Sequence, residues 1–188
     1  KIAHRWNNNE TELCPLCSKC EETCNHILCC PNLHMTRVRE KYTRNLENQL
    51  KILHTHPDIQ TSIMTGIKSI TNTNIPTDIS PPTTTQQSTI QQAYQQQETI
   101  GWHNMLRGYI SKKWISIQDE YYDRNNFEKK INISRWINKI IEATILITRK
   151  CWRERCEIVN TSNTYILEQR TRDMAFDLCR ELRPTAWK

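Results

Sequence analysis

Two cysteines separated by two residues can turn back so that both sulfurs reach one cation. Cys14-Pro15-Leu16-Cys17 has that spacing. Downstream, in Glu22-Thr23-Cys24-Asn25-His26-Ile27-Leu28-Cys29-Cys30-Pro31, His26 and Cys30 stand four residues apart, which on one helical turn puts both side chains on the same face. The set reads C-x2-C-x8-H-x3-C, and soft thiolates with an imidazole suit tetrahedral Zn2+. The expected ligands are Cys14, Cys17, His26 and Cys30. Six of the nine cysteines fall between Cys14 and Cys30, so other sets compete. Cys20, Cys24 and Cys29 are each close enough to replace a neighbour, and Cys17-x2-Cys20 is itself a chelating pair. Four protein ligands leave no open position for water or substrate, so the expected role is structural. The competing reading is a run of reduced cysteines without metal. That reading leaves a short segment with few large apolar residues and no core.

Other chemistry is sparse. His54 and His56 near Asp58 could form a second metal site or an acid–base pair, but at a helix boundary such residues read more simply as capping or solvated groups. Asp119-Glu120 and Tyr122-Asp123 fall in an amphipathic helical context and form no paired-carboxylate polymerase motif. No glycine-rich phosphate loop and no Gly-x-Ser-x-Gly elbow is present. The sequence therefore predicts a chain with no catalytic centre and no small-molecule substrate. It does offer basic clusters. Arg37, Arg39, Lys41 and Arg44 follow Cys30-Pro31 and are the candidate phosphate contacts. Arg149, Lys150, Arg153 and Arg155, around Trp152, form a second candidate patch, which reads more simply as the wet face of a helix paired with Glu154 and Glu157.

These residues need helices to carry them. The 188 residues include only three glycines, Gly66, Gly101 and Gly108, which disfavours an all-β fold with many tight turns. From Leu33, the apolar positions Val38, Tyr42, Leu46, Leu50 and Leu53 recur at helical steps. Pro57-Asp58 opens a possible short helix carrying Ile59, Ile63, Ile67 and Ile70. Residues 71–89, with Pro76, Pro81 and Pro82, have linker composition, and the glutamine-rich run to Gln97 either extends the linker or starts a helix. Three long helices are expected beyond it, at about 98–122, at 134–159 with Ser134 as N-cap, and at 163–182. The isoleucine-rich stretch 131–147 is also compatible with a strand. The expected fold is mostly α, with a small Cys/His zinc module followed by helices, a linker and a three-helix bundle-like C-terminal part. The expected divisions are 1–56 for the module and its basic helix, 57–97 for the linker segment, and 98–188 for the helical domain.

The motif also resembles a known family. Cys14-x2-Cys17, Glu22-Thr23-x2-His26 and Cys30-Pro31 are similar to the zinc-binding segment that follows the polymerase region of non-LTR (LINE-type) retrotransposon reverse transcriptases. The resemblance covers about residues 1–40. The family often has four residues between the histidine and the last cysteine; here there are three. Ile100-Gly101-Trp102 and Cys151-Trp152-Arg153-Glu154-Arg155-Cys156-Glu157 resemble the tails of such polyproteins less specifically. The resemblance implies a non-catalytic, zinc-binding accessory region in contact with RNA or DNA. A formal net charge of +6, carried mostly beyond residue 85, fits an anionic partner. The alternatives are a structural or protein-interaction module at the end of a larger polyprotein, binding its other parts, and a functionless retroelement-derived fragment. No apolar window reaches membrane-spanning length and the first residues lack a signal peptide's apolar core, so the expected location is intracellular, nuclear or cytoplasmic, with no membrane contact.

Overall fold

The computed structural model describes residues 12–71, 87–126 and 132–181. Their regular structure is helical: α1 (Cys24–Cys29), α2 (Leu33–Ile52), α3 (Pro57–Thr71), α4 (Gln87–Ile100), α5 (Trp102–Met105), α6 (Lys112–Arg124) and α7 (Ile133–Glu181). A single residue pair, Leu13 and Glu21, forms an isolated antiparallel bridge ahead of α1. The protein is thus mostly α, with its Cys/His cluster near the N-terminus and helices following it.

Polar residues set the helix starts. Thr23 caps α1, its hydroxyl accepting from the His26 amide. Asn32, directly after Pro31, caps α2 by accepting from the amides of His34 and Met35. Pro57 stands at the first position of α3, where its missing N–H costs nothing. Asn132, rather than the expected Ser134, starts α7 by accepting from the Arg135 amide.

Two helix boundaries differ from the sequence expectation. The helix expected at 98–122 is divided among the end of α4, α5 and α6. Gly101 and Gly108 have φ of 92° and 95°, left-handed backbone that turns the chain at low steric cost. Buried Gln97 holds the resulting loop, its Nε2 donating to the carbonyls of Gly101 and Tyr109 and its Oε1 accepting from the Ser111 amide. Conversely, the helices expected at 134–159 and 163–182 are one. Asn160-Thr-Ser162 lies within the continuous helix, where Thr161 and Ser162 satisfy their hydroxyls on the carbonyls of Glu157 and Ile158 instead of capping a new helix start. The stretch compatible with a strand, 131–147, is helical from Ile133. The three principal helices of the C-terminal part are α4, α6 and α7, with α6 touching both of the others.

A single apolar core takes residues from all parts of the described chain. The α2 face Met35, Val38, Leu46 and Leu50 packs with α7, where Trp136, Ile140, Ile147 and Cys151 are buried. From the 57–97 segment, α3 contributes Ile59, Ile63 and Ile67 and α4 contributes Ile90 and Ala93. The α2–α3 loop is tied to the later helices by polar contacts. Gln118 is fully buried, accepts from the His56 amide and donates to the His54 carbonyl. Tyr122 Oη donates to the Leu53 carbonyl, and Trp136 Nε1 to Thr55 Oγ1 at 3.0 Å.

The close crossing of α3 over α5 depends on Gly66. A Cβ there would overlap the indole of Trp102, which is itself held between Tyr94 and Trp114, with centroids 5.3 and 5.8 Å away. Gly66→Ala is therefore expected to destabilise the fold by about 1–3 kcal/mol, the range typical of overpacking. Equilibrium urea unfolding measures this, and an unchanged midpoint would show that Trp102 moves aside freely.

Candidate metal centre

The loop before α1 closes on itself. The Cys14 amide donates to the Cys20 carbonyl at 2.8 Å, the Ser18 amide to the Cys14 carbonyl at 2.7 Å, and the Glu22 amide to the Glu12 carbonyl at 2.8 Å. Ser18 takes a positive φ of 53° in this turn. The turn sets Cys14 and Cys17 side by side, facing His26 from α1 and Cys30 from its C-terminal cap. Asn32 Nδ2 donates to the Leu16 carbonyl at 3.2 Å, fastening the loop to the start of α2.

The four predicted ligands come together. The sulfurs of Cys14, Cys17 and Cys30 and a ring nitrogen of His26 all lie within 4.8 Å of one another, close enough to hold a metal ion. Metal–sulfur bonds of about 2.3 Å give a tetrahedral S···S edge of about 3.8 Å. The Cys14–Cys30 sulfur separation is 3.8 Å, and Cys17 Sγ lies 3.3 Å from His26 Nε2. Cys14, His26 and Cys30 are buried and Cys17 is partly so, leaving little access for a fifth group. Cys20 and Cys24 are exposed, and Cys29 turns its sulfur to the Asn25 carbonyl, so none of these competitors joins the cluster.

The surroundings suit deprotonated sulfur unevenly. At Cys17, burial opposes ionisation, but the amides of Lys19 and Cys20 and the side chains of Cys14 and Cys30 outweigh it and hold the thiol below its ordinary value. Burial pushes the Cys30 thiol up to about 12, and the neighbouring Cys14 charge adds to this despite the Asn32 amide. Burial lowers His26, against the field of Glu22, keeping the imidazole in the neutral form that ligates.

Among the described residues, two arginines are buried. Glu22, 1% exposed, receives Arg155 of α7: Nε donates to Oε1 at 2.6 Å and Nη2 pairs with the same oxygen. This ion pair ties the loop to a helix 133 positions away. Arg39 of α2 is 5% exposed and donates from Nη2 to Thr36 Oγ1. Both positions correct the sequence reading, which took Arg39 as a phosphate contact and Arg155 as part of a solvated helix face or a second basic patch. Neither guanidinium lies on a solvated face. Helical spacing hinted at this for Arg39, which lies four residues after buried Met35 and seven before buried Leu46, while nothing local marked Arg155.

The remaining candidates are placed differently. Arg37, Lys41 and Arg44 are exposed and spaced for one stripe of α2. In the second patch, Arg153 pairs with Glu157 at 3.4 Å and lies 3.9 Å from Glu154, and Lys150 sits over the Tyr42 ring. His56 accepts at Nδ1 from the Asp58 amide, a capping role at the start of α3. Among the described residues, no helix is long and apolar enough to cross a membrane. No protein-family model, curated protein or solved structure matches the chain.

Proposed function

We propose that the Cys14–Cys17–His26–Cys30 cluster is a structural zinc centre within a nucleic-acid-associated accessory region of a retroelement-type reverse transcriptase protein. The observation that carries the metal part is the convergence of three sulfurs and one imidazole nitrogen to within 4.8 Å of one another. Bound Zn2+ would supply cross-linking rather than chemistry, because all four positions belong to the protein. The residues that carry the family resemblance have physical roles here. Thr23 caps α1 and Glu22 anchors the loop to Arg155, while Pro31 leads into the α2 cap.

The nucleic-acid part draws on the exposed stripe Arg37–Lys41–Arg44, which the metal loop would orient through Asn32. Phosphate contacts release counterions, with a slope of roughly 0.7 to 0.9 per contact. Replacing all three residues with Gln is therefore expected to flatten the log-affinity against log-salt slope by about two to three units. The loss should be alike for unrelated sequences, with zinc content unchanged. An unchanged slope removes this stripe from the binding surface. No binding even at low salt favours the alternative, a protein-interaction module. That alternative draws on a groove of about 810 Å³ between α2 and α7, walled by Tyr42, Ile52, Ile141 and Ile145.

A further inference from the structure

Arg39 carries its charge in a buried place. The residue is 5% exposed, its Nη2 donates to Thr36 Oγ1 at 3.0 Å, and its Nη1 has no hydrogen-bond partner among the described residues. Thr36 keeps this arrangement in place, because its own hydroxyl donates to the Asn32 carbonyl at 3.2 Å and offers the guanidinium only lone pairs. A buried cation served by one neutral oxygen is costly, and such a group is ordinarily matched by an anion.

Arg39 lines a cavity. Thr36, Glu40, Thr43 and Glu47 recur with it at helical steps along α2, and Met64, Lys68 and Thr71 do so on α3. The two faces enclose about 230 Å³, half open to solvent. That is space for about seven waters at roughly 30 Å³ each, and less than the roughly 300–1,000 Å³ of sites for drug-sized ligands. The lining is charged unevenly. Arg44 and Lys68 are exposed and join Arg39. Of the two carboxylates, Glu47 is already engaged, its Oε1 accepting from Lys51 Nζ at 2.8 Å, which leaves Glu40 against three cations. The occupant such a space selects is small and doubly negative, with oxygens for a guanidinium; phosphate meets all three conditions, and arginine is the side chain best shaped to hold it.

We propose that the cavity between α2 and α3 is a binding site for a single phosphate dianion, with Arg39 as its buried cation and Arg44 and Lys68 as its exposed ones. The site goes beyond the nucleic-acid reading and does not rest on it: Arg37 and Lys41 of the exposed stripe do not line it. It returns Arg39 to phosphate chemistry through a cavity that admits one group, and not through a strand laid along α2. A cation kept for a ligand costs stability while the ligand is away. Arg39→Met, of similar bulk and uncharged, is therefore expected to unfold no earlier than the parent in phosphate-free buffer.

The test titrates the full chain with inorganic phosphate at constant ionic strength, read by calorimetry and by the thermal midpoint. The parent is expected to bind one phosphate per chain and to gain midpoint with concentration, as a ligand selective for the folded state requires. Arg39→Met should bind at least about tenfold more weakly, the scale of one lost hydrogen bond to a charged group. Lys68→Gln and Arg44→Gln, being exposed, should each weaken binding about two- to fivefold. A parent without a saturable response overturns the proposal, and so does parent-like affinity in Arg39→Met. If Arg39→Met does not fold, the exposed pair decides: weaker binding in both supports the site, and unchanged binding in either overturns it. Oligonucleotides ending in a phosphate or in a hydroxyl then separate the two sources of the group. Tighter binding of the phosphorylated strand, lost in Arg39→Met, supports the site as one for a strand end. Equal binding of the two strands beside a saturable phosphate response supports it as one for free phosphate or a small phosphate ester.

Discussion

Purified chain is expected to hold one zinc, and the double substitution Cys14→Ser/Cys17→Ser is expected to abolish it. This is the largest effect the structure implies. Apparent binding energies of structural zinc in small modules run to about 10–16 kcal/mol, comparable with the whole stability of a domain. The segment 12–31 has few apolar side chains of its own, with Cys14, Ile27, Leu28 and Cys30 as its buried set. Without the ion, that segment should lose order while the α2–α7 core persists. Elemental analysis gives the stoichiometry, and amide hydrogen exchange locates the loss. Cys20→Ser should keep the metal, because Cys20 is exposed and outside the tetrad. Zinc retained by the double variant would refute the ligand assignment.

The second large effect concerns Glu22 and Arg155. Removing either partner strands a charge in a buried site, and Glu22→Ala or Arg155→Ala should each cost about 3–5 kcal/mol. Replacing both with apolar residues of similar bulk, Glu22→Leu with Arg155→Met, should cost much less than the two single losses together, and a near-neutral result is expected. A double-mutant cycle by chemical denaturation measures the coupling. Additive losses would show that the two side chains act independently and that the contact is incidental.

The tetrad was legible because its chemistry is local. Ligand type and spacing over 17 residues restrict which atoms can meet, and the four predicted residues are the four that converge. The helical class and the apolar faces of α2 and α3 were legible for the same reason, since 3.6-residue periodicity is written within each segment. What escaped was set by distant partners. Arg155 reads as a surface arginine until Glu22 is known to lie against it, and Arg39 reads as part of a basic run until its helix face is fixed by α7. Periodicity also continued across Gly101 and Gly108, so the 98–122 stretch read as one helix. The break there is imposed by backbone conformation and by Gln97, a residue whose role depends on loop carbonyls and not on hydrophobic pattern.

The two cross-links of the N-terminal loop also differ in when they can form. Cys14 and Cys30 are 16 positions apart, whereas Glu22 and Arg155 are 133 apart. Closing the longer loop in a disordered chain costs about 2 kcal/mol more in entropy, with each doubling of length adding about 0.6 kcal/mol. On a ribosome the difference is starker, because all four metal-binding side chains emerge before any of α7 has been made. The cluster can therefore be filled on a nascent chain, and a preformed loop then presents Glu22 as a fixed seat for an arginine that arrives last.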